Sequence, residues 1–195
     1  DGAMGYDRVE RRSDIVETRH DELTRAAASL GVADDRLHWL GFADGALVLH
    51  QGCRPPAEPP GLGQRLAGLM REIGPTTVFT CAPTDTHPDH RATSSEVDIA
   101  VFWASSPIWL ELGEPIALPS RWDFPVYCAF DGSPDAQVHG DGSLLEAKLA
   151  ALASFESQEL IDPMVDEIRR VGPVEYFKRG GRTAYRPDGY RALFE

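Results

Sequence analysis

A cluster of two histidines and two acids near the middle of the chain could do metal chemistry. Its members are Asp85, His87, Asp89 and His90. Neutral imidazoles are zinc ligands, and a nearby carboxylate can fix which ring nitrogen carries the proton. These residue types therefore predict a catalytic zinc site. A surface turn whose histidines only cap a helix and form hydrogen bonds explains a lone His-x-x-His pair equally well, because complete zinc motifs have three or more ligands.

The flanking residues predict a strand before the cluster and a helix that begins within it. Residues 76–81 are β-branched and aromatic and follow a Gly-Pro pair, which is typical of a strand. Pro88 suits the first turn of a helix, and Thr86 or His87 can cap it. The histidines would then lie at the carboxyl end of a strand, where open α/β sheets bind their ligands and a helix N-terminus favours negative charge.

Apolar periodicity predicts the other elements. Helices are predicted over residues 13–30, with Ser13 as a cap, and over 62–73, 88–106, 143–154 and 162–172. Further strands are predicted at 37–42 and 124–130. The strand at 37–42, the helix at 62–73 and the strand at 76–81 should form a unit with two parallel strands. This alternation predicts a three-layer α/β fold with a mostly parallel sheet.

Length and composition bound the class of protein. With 195 residues, 42% of them hydrophobic, the chain is most simply a single domain over residues 1–195. A net charge of −12 argues against binding to nucleic acid or to an anionic membrane surface. No apolar run approaches the about 18 residues of a membrane span. The three cysteines are odd in number and widely spaced, so a reducing cytoplasm is the default location.

The string Thr-His-Pro-Asp-His-Arg-Ala at residues 86–92 resembles the second signature of the LmbE-like, or PIG-L, family of zinc-dependent de-N-acetylases. Members of that family remove acyl groups from amino sugars of the N-acetylglucosamine type. Other segments resemble family motifs in the order that the family requires, and they lie at residues 1–2, 19–22 with 30–32, 40–45, 148–152 and 157–158. The resemblance spans roughly residues 1–160, and the string at 86–92 is its specific part.

The resemblance implies a Rossmann-like sheet, a Zn²⁺ cofactor and a small-molecule amino-sugar substrate. His90 would be a zinc ligand. His87 would be the electrophile beside the tetrahedral oxyanion, and a hydrogen bond from Asp89 would keep it in the right tautomer. Arg19 and Asp44 would bind the substrate, Asp44 through sugar hydroxyls.

Arg19 and Asp44 can also be explained without a substrate. Two segments that contain prolines are expected to cover the site. Arg19 lies in the apolar stripe of its helix, where it could snorkel and pair with Glu22. Asp44 precedes a glycine and could simply form a turn. The proline-containing segments at 50–61 and 105–123 are expected to cover the site as lids.

The family's first signature, Ala-His-Pro-Asp-Asp-Glu, does not occur in the sequence. It would supply two further zinc ligands and the general base. We expect either that the N-terminal part of the fold, with its first two strands, lies outside these residues, or that the chain is a truncated relative.

This departure leaves two functions open. One is zinc-dependent hydrolysis of the N-acyl amide of a glucosamine-containing small molecule or glycoconjugate. The other is a non-catalytic, sugar-binding or scaffold role.

A sheet without its two central strands would expose unpaired edges, so the chain alone should be poorly stable or need a partner segment. The oligomeric state stays open and includes a homo-oligomer.

Overall fold

The computed structural model describes residues 14–54, 58–158 and 161–181. Within these ranges the helices are α1 Ile15–Ser29, α2 Leu62–Ile73, α3 Pro88–Ala104, α4 Gly142–Ala153 and α5 Ile161–Val171. The strands are β1 Thr77–Cys81, β2 Ser120–Phe124, β3 Ala136–His139 and β4 Val174–Arg179. Three short 3₁₀ helices lie at Asp34–Arg36, Leu47–His50 and Leu110–Leu112. Among these residues, no helix has the length and hydropathy needed to cross a bilayer.

The five helices and β1 confirm predictions made from the sequence. Each helix begins and ends within two residues of its predicted bounds. The cap predicted at Ser13 lies outside the described residues. Helix α4 is capped by Asp141 rather than by Ser143, because Asp141 Oδ1 accepts the backbone N–H groups of Ser143 and Leu144 at 2.9 and 3.0 Å. The prediction of a single domain over residues 1–195 stays a prediction.

The strands form a mixed α/β sheet in the order β1-β2-β4-β3. Strands β1 and β2 are parallel and are joined by the crossover that contains α3. Strand β4 is antiparallel to both β2 and β3. The predicted mostly parallel sheet is therefore wrong for the described residues, because β3 and β4 were not expected and both of their pairings are antiparallel. Strand β1, which leads to the histidines, lies at one edge of this sheet.

The strand predicted at 37–42 does not form. Gly41 has a φ of +71°, outside the extended region. A strand requires a neighbour for its backbone hydrogen bonds, and none of the four strands of the described sheet pairs with this segment. Side chains hold it instead. The Trp39 ring stacks on His20 at 3.6 Å between centroids, and the Arg65 guanidinium lies 5.4 Å from the Phe42 ring. The predicted strand-helix-strand unit is therefore wrong.

The strand predicted at 124–130 does not form. The structure instead has strand β2 just before this range, and β2 finishes at Phe124, the first residue of the predicted strand. Pro125 follows, and because proline has no N–H to donate, it ends the strand rather than opening it. Residues 125–130 form the loop after β2.

Helices α2 and α3 pack together and supply the core beside β1. Its buried members are Ala67 and Met70 of α2 with Val97, Ala100 and Ala104 of α3. Small side chains at the contact let the two helices approach closely. The helices are also joined by the buried carboxylate of Glu96, which accepts the N–H groups of Gly63 at 3.0 Å and of Gly52 at 3.2 Å.

Arg71 of α2 holds the chain that leaves the carboxyl end of α3. Its buried guanidinium donates to the carbonyl oxygens of Trp103, Ala104, Ser106, Ile108, Trp109 and Gly113. A cation at a helix C-terminus also stabilises the helix dipole. Helix α3 has 17 residues, so it is about 25 Å long at its rise per residue. The histidines lie at its other end, and residues 105–113 therefore do not cover them as the lid prediction requires.

Candidate functional site

His87 caps the N-terminus of α3. Its backbone adopts an extended conformation, and Pro88 begins the helix. The Nδ1 atom of His87 accepts the backbone N–H of Asp89 at 3.2 Å. A ring nitrogen that accepts a hydrogen bond carries no proton, so neutral His87 has its proton on Nε2. The helix N-terminus thereby presents an imidazole N–H donor.

His90 lies three residues further on, and its ring centroid is 4.7 Å from that of His87. Its Nδ1 lies 3.2 Å from Oδ1 of Asp85. This contact does not have the geometry of a hydrogen bond. An ionised carboxylate so close nevertheless favours the neutral tautomer with its proton on Nδ1, which leaves a lone pair on Nε2. The surroundings of the two histidines therefore favour opposite tautomers. His87 offers a hydrogen-bond donor, whereas His90 offers a lone pair.

Asp85 connects the parts of the candidate site. Its side chain is 1% exposed, and its Oδ1 also accepts the N–H of His87 at 2.8 Å. Its Oδ2 accepts the N–H of Tyr127, in the loop after β2, at 3.0 Å. Burial by itself would raise the pKa of Asp85, but the backbone hydrogen bonds from His87 and Tyr127 and the nearby ring of His90 outweigh it and lower the pKa below its usual value. Asp85 is therefore an ionised carboxylate at neutral pH.

Asp89 does not play the part that the sequence predicts for its side chain. Its buried carboxylate binds a neighbouring loop instead of His87: Oδ2 accepts the N–H of Gly45 at 2.6 Å, and Oδ1 accepts that of Leu47 at 3.2 Å. The hydrogen bond to His87 comes from the backbone N–H of Asp89. The predicted carboxylate–imidazole bond is therefore wrong, because in the first turn of α3 the side chain points to the loop. A catalytic role for Asp89 stays a prediction.

Asp44 is brought towards the histidines by that loop. It is half-buried and immediately precedes Gly45, which has a φ of +76° and is bound to Asp89. Asp44 thus lies in a turn, as expected from the residues, and the same turn is fixed to the helix that His87 caps. Its contact with substrate stays a prediction.

Arg19 lies at the junction between α1 and the turn after α4. Its Nε is 3.9 Å from the carboxylate of Glu22, and its Nη2 donates to the Ser157 carbonyl at 3.4 Å. Buried Glu22 accepts both the N–H and the hydroxyl of Ser157 at 2.7 Å. The predicted pairing with Glu22 is present, and none of these contacts is with the histidines. Substrate binding by Arg19 stays a prediction.

Of the two histidines, His90 is the one whose side chain is arranged as a metal ligand. The free Nε2 of His90, with a carboxylate behind its Nδ1, is the arrangement typical of a zinc-bound imidazole. In the described ranges, however, no group of three or more His, Cys, Asp or Glu side chains could hold a metal ion. His90 is therefore a candidate ligand and not a complete site.

A cavity of about 370 Å³ opens beside the segment that precedes Asp85, and neither histidine lines it. One charged residue of its lining is Arg121, which binds Asp123 at 2.9 Å and Ser94 at 2.6 Å and also pairs with Asp98. Burial raises the pKa of Asp123, and the charge of Arg121 offsets this only in part. Arg121 and its acidic partners thus bind mainly one another.

Two residues of the candidate site were not assigned a role from the sequence. Asp85 belonged to the cluster found in the sequence, and its position two residues before the cap, in the loop after β1, was the signal that it supports both histidines. Tyr127 gave no signal, because the loop that carries it was predicted as a strand. Its ring stacks on His90 at 5.3 Å between centroids with the planes 12° apart.

Three solved structures that share this fold are described as a conserved protein, a deacetylase and a hydratase. The conserved protein TT1542 from Thermus thermophilus is 25% identical over 88% of this chain and 76% of that one, with a TM-score of 0.65. The N,N'-diacetylchitobiose deacetylase from Pyrococcus horikoshii, solved with its inhibitor MPG, is 22% identical over 91% and 69%, with a TM-score of 0.68. GalB, the 4-carboxy-2-hydroxymuconate hydratase from Pseudomonas putida, is 17% identical over 95% and 81%, with a TM-score of 0.61. A fold shared with a hydratase does not by itself identify the reaction.

The sequence comparison with protein families is more specific. Residues 1–101 match the family PIG-L, described as GlcNAc-PI de-N-acetylase. This range is more than half of the 195 residues and contains β1, Asp85 and both histidines. The chain therefore belongs to the PIG-L family.

Proposed function

We propose that the protein hydrolyses the N-acetyl, or another N-acyl, amide of a glucosamine-containing small molecule or glycoconjugate, with Zn²⁺ as cofactor. Membership of the PIG-L family supports the reaction class. The observation that carries the proposal is the different surroundings of the two imidazoles: Nδ1 of His87 accepts the N–H of Asp89, whereas Nδ1 of His90 faces the Asp85 carboxylate. This arrangement favours a lone pair on His90 for a metal and an N–H donor on His87 for the oxyanion. A cytoplasmic location belongs to the same proposal.

His90 would hold the metal through Nε2. When bound, zinc lowers the pKa of a water ligand towards about 7 and polarises the amide carbonyl. Asp85 keeps the proton of His90 on Nδ1 and makes the ring a better ligand. The remaining ligands and the general base would have to come from outside the described residues, since these contain no complete donor set.

His87 would stabilise the oxyanion. When water adds to the amide carbon, the carbonyl oxygen gains negative charge, and the Nε2–H of His87 would donate to it. This donor is already oriented by the Asp89 N–H on its other nitrogen, so it needs no reorganisation during the reaction. Cleavage of the C–N bond then gives the carboxylate, which is acetate for an N-acetyl group, and the free amine. Arg19 and Asp44 would bind the sugar.

The test is zinc content by elemental analysis together with a deacetylation assay. The proteins compared are residues 1–195 and a longer form that also carries the family's first signature, with N-acetylglucosamine and N,N'-diacetylchitobiose as substrates. We expect about one zinc per chain in the longer form, release of acetate, and loss of both zinc and activity in His90→Ala. Folded protein that holds no zinc and releases no acetate in either form would contradict the proposal and favour a non-catalytic sugar-binding role.

A further inference from the structure

Tyr127 is fixed at its backbone while its ring stays open to solvent. Its N–H is donated to Oδ2 of buried Asp85 at 3.0 Å, yet the residue is 62% exposed. Single exposed aromatic residues are common on protein surfaces. This one differs because the carboxylate that anchors it also binds both histidines of the candidate site.

The loop that carries Tyr127 is tied to the segment before the histidines at two further points. Ala82 donates its N–H to the carbonyl of Phe124 at 2.9 Å. Thr84 donates its hydroxyl to the carbonyl of Ala129 at 3.3 Å. Tyr127 therefore has a fixed position relative to the histidines.

The ring of Tyr127 forms an aromatic wall beside both imidazoles. It lies nearly parallel to His90 at 5.3 Å and at 6.3 Å from His87, measured between ring centroids. Small-molecule sites typically combine a few converging polar groups with an aromatic surface that contacts the apolar part of the ligand. Here His87 and His90 are the polar groups, and the exposed ring of Tyr127 is the adjacent apolar surface.

We propose that Tyr127 is a specificity-determining residue whose ring packs against the apolar face of a pyranose sugar while its amide lies at the histidines. This inference rests on the proposed function and deepens it, because it assigns the sugar ring of the substrate to a named side chain. The contact is made by the aromatic ring, and the phenolic hydroxyl is not required for it.

The inference is tested by equilibrium binding of N-acetylglucosamine, followed by saturation-transfer NMR. Tyr127→Ala should weaken binding about tenfold, whereas Tyr127→Phe should stay within about twofold of the original chain. In the zinc-loaded form, Tyr127→Ala should raise KM with little change in kcat or in bound zinc. The matched control is Tyr176→Ala, which removes an exposed tyrosine of β4 whose hydroxyl accepts a hydrogen bond from Gln137, and it should bind the sugar normally.

The outcomes separate this inference from the proposed function. Equal binding by Tyr127→Ala and the original chain overturns the inference, even if the sugar is deacetylated. Loss of binding in Tyr127→Phe also overturns it, since the hydroxyl would then make the contact. Sugar binding that depends on the ring, without any turnover, supports the inference and contradicts the proposed function. An original chain that neither binds nor deacetylates the sugar overturns both.

Discussion

Oδ1 of Asp85 lies 3.2 Å from Nδ1 of His90, and the same oxygen accepts the backbone N–H of His87 at 2.8 Å. One buried carboxylate thus fixes the ring of one histidine and the backbone of the other. The ring of His87 is fixed separately, by the N–H of Asp89. The difference between the two imidazoles is therefore built into the loop after β1 and the first turn of α3.

Asp85→Asn should release the tautomer of His90. Without an ionised acceptor at Nδ1, the ring should populate the Nε2–H form, which ¹⁵N chemical shifts of the metal-free chain detect. In the zinc-loaded form, zinc affinity should fall about 10- to 100-fold, the usual effect of removing such a partner. The matched control is Asp131→Asn, which changes an exposed acid beside the neighbouring cavity. An unchanged His90 tautomer in Asp85→Asn would contradict this role.

His87→Ala should retain zinc but lose at least about 100-fold in kcat, because it removes one donor to the oxyanion. It should also lower the free energy of unfolding by about 1 kcal/mol, since the helix loses its cap. His87→Asn separates the two effects, as asparagine is a good cap without the imidazole N–H. Its stability should approach that of the original chain while its activity stays low. Steady-state kinetics and urea unfolding measure both quantities. Full activity in His87→Asn would exclude the donor role.

Asp89→Ala should destabilise the protein by about 2 to 3 kcal/mol, because hydrogen bonds to a charged group are strong and the N–H groups of Gly45 and Leu47 would lose their acceptor. Amide hydrogen exchange should increase at these two residues. Glu146→Ala, on the surface of α4, is the control and should change the urea midpoint little. If Asp89→Ala leaves the exchange at Gly45 unchanged, the carboxylate does not hold the loop in solution.

Asp141→Ala should destabilise α4 at neutral pH and less so in acid. Hydrogen bonds from the Ser143 hydroxyl and the Leu144 N–H lower the pKa of Asp141 from its usual value of 3.8. A group with a lowered pKa contributes stability above its unfolded pKa and loses that contribution as the pH falls through its folded pKa. The difference in urea midpoint between Asp141→Ala and the original chain should therefore be constant from about pH 7 to 5 and shrink below about pH 4. A difference that persists in strong acid would show that the carboxylate charge is not its cause.

Much of the helical structure could be predicted from the sequence, because its signals are local. The proline at 88 and the glycines at 74 and 172 mark helix ends wherever the helices pack. Strands depend on partners that are distant in the sequence. Residues 37–42 have an apolar strand pattern but no pairing in the described sheet, whereas β3 and β4 pair with each other despite weak patterns of their own.

The sequence predicted which segments form the candidate site, but it did not predict which side chains contact one another there. The spacing of His87 and His90 placed them at the strand-to-helix junction, which is where the structure has them. The sequence could not predict which acid contacts the histidines, because this depends on the direction of each side chain. The side chain of Asp85 points to the backbone of His87, whereas that of Asp89 points to the loop that contains Gly45. Tyr127 could not be found because it comes close only through the folded position of its loop.

The two buried carboxylates of α3 constrain how the length of the chain can vary. Asp89 binds the beginning of segment 45–52 and Glu96 binds its end. They are seven residues apart and so lie on one face of the helix, two turns from each other. An insertion or deletion of one residue between them would rotate one carboxylate by about 100° around the helix axis and break its hydrogen bonds to this segment. Homologous chains that keep both carboxylates bound to the segment should therefore show no length change between these positions.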